Sequence, residues 1–281
     1  MFSSTRAELL RLLKWPVTWV VIGVWSVMNL FFAYILGYLT YRTAVSDGDA
    51  FLARAQLGDM SLEQLPATLV QGLPMFGGAV VLILAALATG SGYGWTTWKT
   101  VFAQGPRRLT AFSGTIAALV VIVTGLVLLT LTLDALASIV VFSAESQALV
   151  WPTFASLADG VGAALLIMLT FTMGGAVLGV IARSPALSVG LGLVWALVIE
   201  NLLRGVAQLL GPLETLTNVL PGTAAGSLAG ALGATGPGGD AATGTPGVLT
   251  TLTGTSAIGL LVVYAVVFLA VMAVAVQRRD A

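Results

Sequence analysis

The stretch LTAFSGTIAALVVIVTGLVLLTLTL, residues 109–133, decides the fold class because it contains no charged side chain. A helix needs ~20 consecutive apolar residues to cross a bilayer, and this run is long enough. The whole chain has the same character, with 58% hydrophobic and 9% charged residues, whereas soluble domains carry about 25% charged residues. We therefore predict an integral membrane protein.

Six apolar runs meet this length requirement. They are residues 17–39, 73–90, 109–133, 160–182, 186–203 and 256–276. Residues 135–142 form a further short apolar piece that either extends the third run or lies at the membrane surface. The pattern predicts an all-α polytopic membrane protein, a single domain over residues 1–281 with six transmembrane helices. Residues 211–255 are predicted to form an outer Gly-rich loop, and residues 220–232 can form a short helix at the membrane face.

Residues 1–16 have the pattern of an amphipathic helix. Apolar side chains occupy one helical face and basic side chains another, as in helices that lie in the membrane interface. The apolar set is Phe2, Leu9, Leu12 and Leu13, and the basic set is Arg6, Arg11 and Lys14. An alternative is that these basic residues only anchor the first span.

Lys and Arg residues in short loops set the orientation of a membrane protein, because they favour the cytoplasmic side. Six spans place both termini on one side, together with the connection 91–108. Nine of the twelve basic residues fall on that side: Arg6, Arg11, Lys14, Lys99, Arg107, Arg108, Arg183, Arg278 and Arg279. We therefore predict cytoplasmic termini, and the abundance of Ala, Gly, Val and Leu indicates a bacterial plasma membrane.

Several kinds of site are excluded by composition. The chain has no Cys and no His, which removes thiolate and imidazole metal ligands and Ser-His-Asp catalysis. Lys14 follows Leu13 and Lys99 follows Trp98, so neither lysine belongs to a Gly-Lys-Ser/Thr phosphate-binding loop. We expect no catalytic residue, metal or cofactor on this chain. Because the net charge is zero, we also expect no nucleic-acid partner.

The connection 91–108 is much longer than the ~4 residues that join most neighbouring elements. Trp95, Trp98 and Phe102 recur at helical spacing. This spacing predicts a short helix lying along the membrane, with threonines and Lys99 toward the cytoplasm. The alternative is an aromatic belt with cytoplasmic positive charges, which would need no partner protein.

The same connection resembles the coupling helix of the ABC-2 type permeases. The residues that carry the resemblance are Gly94, Thr96, Lys99, Thr100, Gly105, Pro106 and Arg108. The family has an acidic residue a few positions before the Gly-Thr pair, and here Ser91, Gly92 and Tyr93 stand in that place. The resemblance extends to the N-terminal helix, the six spans and the Leu-Pro-Gly sequence at 220–222.

The resemblance implies the membrane permease subunit of an ABC transporter that works as an exporter. A second permease copy or a paralogue would pair with this chain, and separate cytoplasmic ATPase subunits would bind ATP and Mg. The residues implied in coupling to the ATPase are Gly94, Trp95, Thr96, Thr97, Lys99 and Thr100. The apolar spans favour an amphipathic or lipid-like substrate.

Glu200, Asn201 and Arg204 place polar groups within the fifth apolar run. Ionisable residues at membrane depth usually face protein or a water-filled cavity, so these residues are candidates for a translocation path. In the other interpretation Arg204 extends to the membrane surface and Glu200, four residues earlier, neutralises it. Asp134 and Asp159 are predicted to be charges at the outer membrane interface.

Two other functions remain open from the sequence. An ion-gradient-driven secondary transporter usually needs ionisable groups near the membrane midplane, and Glu200 is its only candidate. A membrane assembly subunit without transport activity needs no such group.

Overall fold

The computed structural model describes residues 2–94, 108–207, 215–235 and 245–278, and every regular element in these ranges is helical. The α-helices are α1 Phe2–Lys14, α2 Pro16–Leu30, α3 Leu36–Ser46, α4 Ala50–Asp59, α5 Leu65–Gln71, α6 Gly78–Gly94, α7 Arg108–Ala144, α8 Phe154–Ala182, α9 Pro185–Leu193, α10 Glu200–Ala207, α11 Pro221–Ala231 and α12 Gly254–Arg278. Three π-helices join consecutive α-helices: Phe31–Ile35, Leu73–Gly77 and Val194–Ile199. A short 3₁₀-helix covers Leu62–Gln64.

Six helical segments within the described ranges are long and apolar enough to cross a membrane, so the protein is a multi-pass membrane protein. They are Pro16–Ser46, Leu62–Gly92, Phe112–Ala144, Phe154–Ala182, Pro185–Ala207 and Gly254–Gln277. We call them spans 1 to 6. Most extend beyond the apolar runs of the sequence, because helical hydrogen bonding continues through polar residues that interrupt the apolar pattern. Residues 135–142 accordingly belong to the end of α7.

Helices α6 and α8 share the most extensive contact between elements, and α9 and α12 flank α8. Two glycines of α8 allow this close approach. A Cβ atom at Gly175 would meet the backbone carbonyl of Leu82, and one at Gly179 would meet the Thr89 hydroxyl. Gly174 instead faces the ring of Phe268 on α12. Small residues four apart thus bring two membrane helices together, as in other membrane proteins.

Helix α1 packs against the start of α7. Its Leu12 is completely buried, and Ser4 lies so close to Gly114 that a Cβ there would meet the Ser4 backbone at 3.0 Å. Arg11 forms an ion pair with Glu8 at 2.8 Å. The helix is therefore part of the packed structure, and its position in the membrane interface stays a prediction.

Helix α11 occupies the first part of the predicted outer loop, but it is buried among other helices rather than placed on the membrane face. Eight consecutive residues, 222–229, are buried. Its glycines admit a neighbouring segment of backbone: Gly226 lies against Gly247, and Leu249 donates its N–H to the Gly226 carbonyl at 3.1 Å. The small side chains of α11 make this packing possible. The average hydropathy of the segment does not indicate that it is buried.

Spans 1 and 3 are joined at their outer ends by Glu145, which follows α7. Tyr38 and Tyr41 each donate a hydrogen bond to its carboxylate, both at 2.8 Å. These two hydrogen bonds lower the pKa of Glu145 below its ordinary value, with a smaller contribution from Arg42. The contact fixes α3 against the end of α7 on the side opposite both termini, which we call the outer side.

Candidate functional site

A cavity of about 410 Å³ lies between α6, α8, α9, the third π-helix and α12. Its lining includes Phe171, Leu178, Trp195 and Phe268. Tyr264, another lining residue, is about 15 Å from the start of α12 at 1.5 Å per residue, so the cavity lies near mid-membrane. Such a volume is typical of small-molecule sites, which occupy roughly 300–1,000 Å³.

The cavity lining offers almost no free hydrogen-bonding group. Thr170 donates to the Leu166 carbonyl at 2.8 Å, Tyr264 donates to the Val219 carbonyl at 2.8 Å, and Trp195 Nε1 donates to Glu200 at 2.9 Å. Each polar hydrogen is therefore committed to another protein group. The interior is consequently suited to hydrocarbon rather than to a hydrophilic solute.

One edge of the cavity coincides with the apolar outer surface of span 5. Leu191, Val194 and Trp195 line the cavity and are also 50%, 48% and 43% exposed. In a bilayer, surface that is exposed at this depth faces lipid or another membrane protein. Where this surface faces lipid, it offers a hydrophobic molecule a lateral approach to the cavity.

Glu200 lies behind this cavity wall and is 1% exposed. Its Oε1 atom accepts the hydrogen bond from Trp195 Nε1 at 2.9 Å. In an α-helix, positions five apart are about 140° apart around the axis, so these side chains would point to different faces. The π-helix Val194–Ile199 closes hydrogen bonds between residues five apart, which brings Trp195 and Glu200 together.

The other carboxylate oxygen of Glu200 faces the beginning of α11. A Cβ at Gly222 would meet Glu200 Oε2, so only glycine leaves room for the carboxylate there. Helix N-termini carry unpaired N–H groups and a partial positive charge, which stabilises a carboxylate at this position. Glu200 thus connects span 5 to the buried helix α11.

Arg204 does not form the predicted ion pair with Glu200. Among the described residues, the two charged groups have no contact within 4.0 Å, and Arg204 donates instead to Asn201 Oδ1 at 2.8 Å. Asn201 in turn donates to the Leu197 carbonyl at 2.9 Å. The turn from π- to α-geometry directs Glu200 toward Trp195 and α11, so the two charged groups attract each other electrostatically without a direct ion pair.

Asp134, predicted to be a charge at the outer membrane interface, is completely buried among the helices and lies within span 3. Its Oδ1 atom accepts a hydrogen bond from Asn29 Nδ2 at 2.6 Å, and its Oδ2 atom has no hydrogen-bond partner in the described structure. The Tyr34 hydroxyl, also buried and unpartnered, interacts electrostatically with this carboxylate. Asp159, by contrast, is exposed near the start of α8.

Sequence reasoning missed Asp134 because the third apolar run was taken to end at Leu133. The apolar residues of 135–142 were the signal that the helix continues and that the aspartate is internal to it. Asn29 could have been singled out as another polar residue within an apolar run. No sequence signal marks the π-helix that pairs Trp195 with Glu200.

The residues implied in coupling to an ATPase lie mostly outside the described ranges. Gly94 is the last residue of α6, and Trp95, Thr96, Thr97, Lys99 and Thr100 fall in the following gap. The coupling helix therefore stays a prediction. No protein-family model and no curated protein matches this chain.

Proposed function

We propose that the chain is the membrane permease subunit of an ATP-driven transporter of the ABC-2 type, exporting an amphipathic or lipid-like substrate. The observation that carries the proposal is the mid-membrane cavity, which is apolar and reachable from the bilayer. A separate cytoplasmic ATPase subunit would supply the energy through residues 91–108, and a second permease copy or a paralogue would complete the transporter. The chain itself is not an enzyme in this proposal.

Filling the cavity is expected to weaken binding of a lipid-like molecule. Val194→Trp places a large ring at the cavity edge, and Val198→Trp makes the same change in the same π-helix at a position that does not line the cavity. We expect the affinity for a spin-labelled fatty acid to fall at least about tenfold, or about 1.4 kcal/mol, for Val194→Trp. Electron paramagnetic resonance titration of the purified variants measures this affinity.

The Val198→Trp variant should bind the probe like the unmodified protein, because both valines are similarly exposed, 48% and 54%. Equal binding by both variants would show that the fatty acid does not occupy the cavity.

Placing acidic side chains on the predicted coupling surface is expected to release the ATPase. Lys99→Glu combined with Thr96→Asp introduces negative charge where we expect the ATPase to dock. Mild detergent purification from native membranes, followed by mass spectrometry, should find a stoichiometric P-loop ATPase with the unmodified chain and at least about tenfold less with the double variant.

A matched double variant on the opposite side, Arg54→Glu with Thr43→Asp, should keep the ATPase. Loss of the ATPase from both double variants would point to general instability rather than to a docking surface. A chain that purifies alone, while a known ABC complex stays intact, would contradict the ATP-driven proposal.

An ion-gradient-driven transporter is the second candidate, and the buried carboxylates of Asp134 and Glu200 favour it. Such groups in membrane spans are often part of ion or proton pathways. Transport that follows an imposed ion gradient and is insensitive to ATP would support this candidate.

A further inference from the structure

Two adjacent cavities lie between the outer side and Asn29, the hydrogen-bond partner of Asp134. The outer cavity, of about 160 Å³, is lined by Gln56, Asp59 and Gln64 among others, and the inner cavity, of about 90 Å³, by Trp25 and Asn29 among others. They share four lining residues: Phe32, Ala33, Gln71 and Thr245. The two cavities are therefore adjacent.

The outer cavity is lined mainly by polar groups, whereas the inner one is mainly apolar. The amides of Gln56, Gln64 and Gln71 and the carboxyl of Asp59, whose pKa is raised by partial burial, line the outer one. The polar residues of the inner cavity are Asn29, Gln71 and Thr245. A water molecule needs roughly 10–15 Å³ of cavity and two to four polar partners, and these three side chains meet that requirement for a single water.

The passage between the cavities lies where two π-helices meet. Phe32 belongs to Phe31–Ile35 and Phe76 to Leu73–Gly77. Their rings are stacked, with centroids 6.3 Å apart and an interplanar angle of 2°. Both rings line the inner cavity, and π-helices are frequent at functional sites in membrane and soluble proteins.

Asn29 connects the inner cavity to the buried carboxylate. It lines that cavity, and its Nδ2 atom donates to Asp134 Oδ1 at 2.6 Å. Asp134 Oδ2 has no partner within the described residues, and no cation there contacts the carboxylate. A buried carboxylate without a cation is costly while it is charged.

We propose that Asp134 is an intramembrane proton-binding site that exchanges protons with the outer solution through these two cavities. In the binding step, one O–H bond of a hydronium ion breaks and an O–H bond forms at Asp134 Oδ2. The hydronium leaves as a water molecule, and the carboxylate changes from one negative charge to neutral. Protonation thus removes the uncompensated charge between spans 1 and 3.

Most of the polar side chains around Asp134 in the described structure are neutral. Tyr34, on the first π-helix, is the titratable side chain that interacts electrostatically with the carboxylate in the described structure. Asn29 on α2 and Thr130 and Ser138 on α7 are neutral hydrogen-bonding neighbours, with Thr130 bonded to Trp25 and Ser138 to the Met60 carbonyl. Asp59 lines the outer cavity and is the nearest carboxyl along the path.

The test is infrared spectroscopy of the full chain in oriented liposomes. The signal is the part of the carbonyl band of protonated carboxylic acids that is present in the unmodified protein and lost in Asp134→Asn, because the buried carboxyl of Glu200 can contribute to the same band in both proteins. The band should disappear with increasing pH, about tenfold per pH unit above its midpoint. A change of pH on the outer side should shift it rapidly.

Hydrophobic carbodiimide provides a second measurement on the unmodified protein, because it modifies protonated carboxyl groups. Peptide mass spectrometry should find the modification at Asp134, decreasing over the same pH range as the infrared band. This measurement stands even if Asp134→Asn does not fold. A carboxyl at 134 that neither titrates nor reacts across the range would overturn the proposal.

A matched pair of variants tests whether protons reach Asp134 through the two cavities. Gln71→Leu makes the wall shared by both cavities apolar, and apolar cavities stay dry. Gln147→Leu makes the same change on the outer side away from both cavities. We expect the outer pH response to slow at least about tenfold in the first variant and to be unchanged in the second; equal rates would overturn the route through the cavities.

Discussion

Replacing Gly175 with leucine is expected to prevent α6 and α8 from packing and so to lower the free energy of unfolding by about 3 kcal/mol, the upper end of overpacking costs. A Cβ at this position would already lie 2.9 Å from the carbonyl carbon of Leu82, which belongs to the backbone of α6. Backbone cannot rotate away as a side chain can, so the two helices must separate. The yield of monodisperse protein and its thermal unfolding measure the effect.

Gly162→Leu is the matched control, since it lies in the same helix and nothing is within 4 Å of a Cβ there. We expect it to change the melting temperature little. Similar yields and melting temperatures for both variants would mean that the close α6–α8 contact does not exist in the membrane.

Replacing Trp25 with alanine is expected to cost about 3–5 kcal/mol, as removal of a large buried aromatic side chain does. Trp25 is 1% exposed and lies against two glycines of span 2, with its ring 3.2 Å from a Cβ built at Gly72 and 3.0 Å from one at Gly77. Its Nε1 also donates to Thr130 at 2.9 Å. The substitution therefore removes contacts among spans 1, 2 and 3 at once.

Two further variants separate packing from hydrogen bonding at this site. Trp25→Phe keeps most of the ring and should cost about 1 kcal/mol through the lost hydrogen bond. Trp19→Ala removes a tryptophan from the same helix that is 58% exposed and should be tolerated. Thermal unfolding in detergent gives the order of stability of these variants. A loss of stability in Trp19→Ala as large as that in Trp25→Ala would refute the packing argument.

Hydropathy was sufficient to predict the six spans, because the bilayer requires a long apolar run for each one. It could not place α11, whose Gly and Ala residues are only moderately apolar. That helix is buried because glycines such as Gly226 and Gly230 let backbone approach it. Such packing depends on the partner segment and leaves little trace in composition.

The candidate site was only partly predictable. Glu200 and Asn201 were singled out as polar residues in an apolar run, but the partner of Glu200 was predicted with α-helical spacing. The π-helix changes which residues share a face, so Trp195 takes the place expected for Arg204. Asp134 ends the third apolar run, and the sequence leaves open whether residues 135–142 continue the helix; in the structure the helix continues to Ala144 and the aspartate is internal to it.

Each π-helix contains one residue more per turn than a regular α-helix would, and spans 1, 2 and 5 have one such π-helix each. If a π-turn reverts to α-geometry, the extra residue passes into the regular helix, and all that follows rotates by about 100° and advances by about 1.5 Å. In span 5 that rotation would carry Glu200 away from Trp195 while leaving α9, which precedes the π-helix, in place. A π-helix therefore allows one part of a span to rotate relative to the other. The rotated part then presents a different face to the neighbouring helices, although the whole span has not moved as a rigid body.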